Sequence, residues 1–296
     1  MQSWLTIEAE DAAKLAKAPL VGADAIVVDL AGVPDGQDAA ATRNAVATWL
    51  KEFGEPDFCV KPFARWVQVK PMDMPLWRED LVAVMAGAPD GVVLPKVTGP
   101  DDIRRLAAEL YEIEQGHRLK HNSTKIMPRI GETARAALTL AALIDDPQPR
   151  LTAFTWHAPS VARAVGARRM RNDAGHWTGV LAHVRAATLM LARTMGVIAV
   201  ETPADAFGDH AAIFGHAQSA RLDGFHGMFA TGPRQIAAIA EAYALSDTER
   251  TDGEAELHAA KAAFMGEVPA RTPNEPDGTP AATDDPGPAP KLRAIG

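Results

Sequence analysis

Eight short apolar runs, each followed by a helical pattern, constrain this chain more than any other feature. The runs are WLTI (4–7), AIVVDL (25–30), WVQVK (66–70), GVVLPK (91–96), KIMPRI (125–130), LTAFTW (151–156), VIAVE (197–201) and GMFAT (227–231). They are near-continuous in Val, Ile and Leu rather than alternating, as expected of parallel strands buried on both faces. Helical patterns fill the intervals, from EDAAKLAKA after the first run to RQIAAIAEAYA after the last. Strand–helix alternation with short connections predicts βαβ units. Eight such units favour closure into a (β/α)8 TIM barrel over an open doubly wound sheet. No G-x-G-x-x-G follows the first strand, which weighs against a dinucleotide-binding domain.

Beyond the eightfold pattern the chain has two further parts. The barrel is expected over 1–245, and an additional C-terminal helical segment over 246–268, with Ser246 as its N-cap. Residues 269–296 are rich in proline and poor in large apolar side chains, so this tail is expected to be disordered. The 47% apolar content is ample for one large core. A net charge of −8 without any basic block argues against nucleic acid as a partner. The single cysteine, Cys59, excludes an intrachain disulfide and a cysteine-based zinc site, and fits a reducing cytoplasm. Neither a signal peptide nor a membrane-spanning run is evident, so a cytoplasmic protein is expected.

In a parallel barrel, the residues at the C-terminal ends of the strands converge on one mouth, where such enzymes work. Asp29, Lys70, Lys96, His157 and Glu201 end their runs, while Arg129 and Glu132 fall at the end of the fifth. A carboxylate at Asp29 suits a metal, a substrate hydroxyl or the capping of its own loop. Glu132 suits a metal ligand, a general base or a first-turn helix acid. Lys70, Lys96 and Arg129 would together draw in a carboxylate or phosphate. His157 suits acid–base work near neutral pH. G-x-S-x-G, Walker A and H-E-x-x-H patterns do not occur, which removes the corresponding hydrolase, nucleotide and zinc readings.

Five segments in order, spanning residues 20–265, resemble the citrate lyase β-subunit-like and malyl-CoA lyase-like branch of the aldolase/citrate lyase superfamily. They are GADAIVVDLAGVP (22–34), GVVLPKVTGPDDIRRL (91–106), GETARAAL (131–138), MGVIAVETPADAFGD (195–209) and DGFHGMFATGPRQIAAIAEAY (223–243). The resemblance implies a TIM barrel, usually oligomeric, that makes or breaks a carbon–carbon bond beside a carboxylate or thioester with Mg²⁺. It implies a catalytic Asp29, substrate-binding Lys96 and Arg129, and Glu132 as a metal carboxylate. This chain also departs from the family. Its strand-three arginine becomes Gln68, followed two residues on by Lys70, so Gln68 and Lys70 take the catalytic place. Ser160 stands where the family's other metal-binding aspartate falls.

Two functions are consistent with this pattern. One is a carbon–carbon lyase acting on an anionic oxoacid, hydroxyacid or acyl-CoA, its metal site rebuilt around Lys70 and Arg129. The other is a catalytically degenerate barrel serving as a ligand-binding or partner subunit of an active lyase. A homo-oligomer is expected in either case, with an active lyase paralogue as a further partner in the second.

Overall fold

A computed structural model describes residues 1–54, 61–204, 209–244 and 247–265. Cys59, Asp205, Ser246 and the 269–296 tail lie outside the described residues. All eight strands form: β1 (Ser3–Glu8), β2 (Ala25–Asp29), β3 (Ala64–Gln68), β4 (Gly91–Leu94), β5 (Lys125–Ile130), β6 (Ala153–Trp156), β7 (Ile198–Glu201) and β8 (Gly227–Ala230). They pair in parallel in chain order, and β8 closes on β1. Around them lie α1 (Ala12–Lys17), α2 (Gln37–Glu52), α3 (Trp77–Met85), α4 (Pro100–His117), α5 (Ala134–Leu138), α6 (Ala158–Ala164), α7 (Gly179–Thr194), α8 (His210–Leu222) and α9 (Arg234–Ala242).

Alternation along each strand divides the apolar side chains between two cores. One set, on Val28, Val67, Val92 and Ile126 among others, packs against the helices. The other fills the barrel itself: Trp4, Ala25, Val27, Trp66, Val93, Met127, Ala153, Val200 and Phe229. Trp4 meets Trp66 edge-on at 5.3 Å between ring centroids. Rings of that size fit only if neighbouring strands contribute little. A Cβ at Gly91 would lie 2.4 Å from the Trp66 ring, so glycine is needed there. This large–small pairing makes the barrel a packed core and places its chemistry above the packed layer, at the strand C-termini.

Two local departures from the sequence reading bear on the site. The ETARAALTLAALID pattern yields only the short α5, followed by a 3-10 turn over Leu140–Asp145. There the Thr139 hydroxyl donates to the Arg135 carbonyl, competing with the helix's own ladder. β3 ends at Gln68 and β4 at Leu94, so Lys70 and Lys96 fall beyond their strands. Past α9, the predicted extension forms α10 (Asp247–Phe264), anchored by Ala262 in the interior and an Arg193–Glu256 pair at 2.8 Å. Among the described residues no helix is long and apolar enough to cross a membrane.

Candidate active site

Register decides which polar side chains meet. Glu8 of β1 lies beside Asp29 of β2, and Asp29 beside Gln68 of β3. On the opposite wall Arg129 of β5 lies beside Thr155 of β6. Asp29, Gln68, Arg129 and Thr155 follow the inward-facing Val27, Trp66, Met127 and Ala153 at a spacing of two, so all four point into the barrel. Together with Thr6, His157, Ser160, Arg163 and Thr231 they line a cavity of about 490 Å³ at the mouth. Lys14 of α1 and Glu8 also contribute to its wall.

A polar chain joins three of these cavity residues to the buried Glu132. Asp29 Oδ1 accepts from the Ala31 backbone N–H at 2.8 Å, so it caps its loop and faces the cavity at once. The Gln68 side chain hydrogen-bonds the Asp29 carboxylate, and its Oε1 accepts from Arg129 Nη1 at 2.7 Å. With its carbonyl committed to Arg129, only the Gln68 amide can donate to Asp29. Arg129 Nε lies 2.9 Å from Glu132 Oε1, an ion-pair contact in which the N–H is not aligned on the oxygen. Glu132 Oε2 then accepts from the Lys96 backbone N–H at 2.6 Å.

Glu132 is aimed by its neighbours. Gly131 adopts φ +73°, and a Cβ there would lie 2.6 Å from Val184. The tight left-handed turn therefore requires glycine. Helix α5 starts only after Thr133, whose side chain accepts from the Ala136 N–H, so Glu132 precedes the N-cap rather than acting as a first-turn acid. Its carboxylate is buried and is held between the guanidinium and one backbone amide.

Titration follows from burial and from these partners. Burial pushes the Asp29 carboxyl above its ordinary value, against the opposing pull of the Ala31 N–H, Arg129 and Gln68, while Glu8 adds to the rise. Burial also pushes His157 down to about 4, with Arg129 and Arg163 adding to the fall and Glu132 opposing it. His157 is thus neutral at physiological pH. Its Nδ1 lies 2.8 Å from Ser160 Oγ.

Lys70 does not reach the cavity. Its amine lies 2.7 Å from Asp35 and 3.9 Å from the buried Asp80 of α3, and the side chain is almost wholly enclosed. A buried ammonium requires an anionic partner, and these acids from the β2–α2 loop and α3 hold it away from the mouth. Lys96 adopts a left-handed φ of +53°. That turn aims its N–H at Glu132 while its ammonium stands 3.9 Å from Asp73, beside a separate cavity of about 250 Å³. Its contribution to the site is the backbone amide. Glu201 lies outside the mouth, bonded by Trp156 Nε1 at 2.6 Å, the Thr202 N–H at 2.9 Å and Arg185 Nε at 2.5 Å. Arg163, Lys14, Glu8 and Thr6 are cavity residues that the sequence reading did not find. Thr6 and Glu8 were accessible to it, because they continue the inward phase set by Trp4. Arg163 and Lys14 sit on short helices and leave no periodic signal.

Mg²⁺ needs hard oxygens in an octahedral shell, with at least one free carboxylate. Here Glu132 Oε1 is in ion-pair contact with Arg129, Oε2 accepts from the Lys96 N–H, and the Ser160 hydroxyl is bonded to an imidazole. Among the described residues no three His, Cys, Asp or Glu side chains gather as a metal-binding group. The residues present do not fit the ion.

The chain is 25% identical over 218 residues to the L-malyl-CoA/beta-methylmalyl-CoA lyase of Cereibacter sphaeroides (strain ATCC 17029), covering 68% of each chain. It is 25% identical over 263 residues to the citrate lyase subunit beta of Escherichia coli K12, covering 88% of this chain and 83% of that one. Its fold is similar to that of the protein CitE from Mycobacterium tuberculosis in complex with magnesium and acetoacetate. There the TM-score is 0.67 at 22% identity, over 87% of this chain and 97% of the other. The sequence profile of the HpcH/HpaI aldolase/citrate lyase family matches residues 2–233. The closed barrel with its mouth cavity is therefore a member of the HpcH/HpaI aldolase/citrate lyase family.

Proposed function

We propose that this barrel catalyses carbon–carbon bond cleavage or formation on a small anionic oxoacid, hydroxyacid or acyl-CoA, with Arg129 as the electrophile in place of a divalent cation. The observation that carries this reading is the polar chain from Asp29 through Gln68 and Arg129 to Glu132. Breaking a bond next to a carbonyl leaves negative charge on the carbonyl oxygen as an enolate. A fixed guanidinium in a site that excludes water is an effective acceptor for that charge. In the cleavage direction Asp29 takes the proton of the substrate hydroxyl, the carbon–carbon bond breaks, and the electron pair moves onto the oxygen facing Arg129. The raised Asp29 carboxyl is the stronger base for it. Gln68 fixes the base relative to the electrophile through its two hydrogen bonds. Lys14 and Arg163 at the rim favour the anionic end of the substrate. The relatives' names, a malyl-CoA lyase and a citrate lyase subunit, support the same substrate class.

The test is turnover of a panel of hydroxyacyl-CoA thioesters and oxoacids with a chelator present. Cleavage should survive chelation and fall about 100- to 1,000-fold in Arg129→Gln. Cleavage that stops on chelation and returns with Mg²⁺ would refute the guanidinium reading. The missing metal donors also favour a second reading, a degenerate barrel that binds an active lyase. No turnover across the panel, with stable binding to such a lyase, would establish it.

A further inference from the structure

The mouth cavity holds two opposite charges that the fold itself leaves unused. Glu8 ends β1 and continues the inward phase of Trp4 and Thr6, so its carboxylate faces the cavity beside Asp29, its register partner on β2. Arg163 lines the same cavity from α6, the helix after β6, which stands three strands from β1 round the closed barrel. Both residues are exposed, and neither side chain makes a hydrogen bond or ion pair among the described residues. The other charges of the lining are engaged. Arg129 is committed to Gln68 and Glu132, and Asp29 to the Ala31 N–H and Gln68. Lys14 lies 2.7 Å from Asp11, the N-cap of its own helix. A carboxylate next to the base repels a substrate that is anionic throughout. It serves a substrate that brings positive charge to that wall, because facing charges then set the ligand's orientation and reject ligands of the wrong sign.

We propose that the substrate is an amino-bearing oxoacid, with its ammonium on Glu8, its carboxylate on Arg163 and a hydroxyl group β to its carbonyl. The inference rests on the lyase reading and names the substrate class of that same site. It also assigns the amine to one fragment. Asp29 takes the hydroxyl proton and adjoins Glu8, so the amine belongs to the hydroxyl-bearing side of the scissile bond. When the carbon–carbon bond breaks, the hydroxyl carbon becomes the carbonyl of an amino aldehyde. The electron pair of the broken bond moves onto the oxygen facing Arg129, as an enolate. Asp29 then returns its proton to the enolate carbon. The products are an amino aldehyde and a smaller oxoacid, and no other reactant is needed.

The probes are two ligand series titrated into the full-length protein by calorimetry. One is the ω-amino acids from β-alanine to 6-aminohexanoate. The other is the unbranched monocarboxylates of equal heavy-atom count, in which a methyl group replaces the ammonium. At the length that spans the cavity, the amino acid should bind about fivefold tighter than its methyl counterpart. Glu8→Gln should bring that pair within about twofold of each other. Arg163→Gln should weaken both members by the same factor, with melting temperatures confirming that both variants fold. The proposal is overturned if no amino acid is preferred at any length, if the preference survives Glu8→Gln, or if neither series binds. No carbon–carbon bond is broken in this assay, so its failure is separate from failure of the lyase reading, which the turnover panel tests.

Discussion

Replacing Arg129 by methionine and Ser160 by aspartate should convert this mouth into a magnesium site. In the parent protein Arg129 Nε sits 2.9 Å from Glu132 Oε1. A Mg²⁺ ion bound to that carboxylate would lie within about 4 Å of the guanidinium. At an effective dielectric constant of about 20, the repulsion between +2 and +1 at that distance is about 8 kcal/mol. A millimolar binding site supplies only about 4 kcal/mol, so the parent should not bind the ion. Arg129→Met removes the repulsion and frees one Glu132 oxygen, and Ser160→Asp adds a second carboxylate. If the double variant binds with Kd about 1 mM, then about 10 mM Mg²⁺ stabilises it by about 1.4 kcal/mol. For a barrel of this size that corresponds to about 3–6 °C in Tm. Thermal melts with and without MgCl₂, against a CaCl₂ and ionic-strength control, measure it directly. A parent protein that gains as much as the double variant would refute the electrostatic reasoning. So would a folded double variant that gains nothing.

Other consequences follow from particular contacts. Lys70→Met should destabilise the fold by about 1–3 kcal/mol, because it strips a partner from the buried Asp80. Ligand affinity at the mouth should stay within twofold, which titration calorimetry can check; a large loss of affinity would return Lys70 to the site. Glu114 is buried and doubly bonded by Arg150 at 2.7 and 2.8 Å. Burial raises its carboxyl, but Arg150 and the Thr124 and Asn122 N–H groups outweigh this and hold it at about 2, below its ordinary 4.5. A depressed carboxyl stabilises the fold above the unfolded value and loses that stabilisation as pH falls from 4.5 through about 2. The loss should reach about 3 kcal/mol in denaturant titrations, and Glu114→Gln should abolish this segment of the pH dependence. Gly91→Ala should lose about 1–3 kcal/mol by forcing a methyl group into the Trp66 ring; an unchanged urea midpoint would show that the ring moves freely.

The barrel was legible because a parallel strand buried on both faces leaves an uninterrupted apolar run, and eight such runs leave few alternatives. Asp29, Gln68 and Arg129 were legible as residues of the mouth cavity for the same reason. Each continues the inward phase of its strand by one step beyond the packed layer. Lys70 misled because it keeps that phase two residues past the end of β3. Only the folded positions of Asp35 and Asp80 reveal that its charge is already engaged. Lys96 misled because a side chain was credited with what its backbone amide does, once a left-handed turn aims that amide at Glu132. The Arg129–Glu132 pair was a sequence neighbour at a spacing of three, yet its meaning needed the turn at Gly131. Arg163 was invisible because α6 is too short to show a face.

A crystal structure of the protein soaked with both Mg²⁺ and pyruvate tests most directly whether Arg129 has taken the cation's place. Pyruvate should be found with its carbonyl oxygen on the Arg129 guanidinium, and with Arg129 still against Glu132 and no ion between them. A magnesium ion bridging Glu132 and the ligand, with Arg129 displaced from the carboxylate, would contradict it.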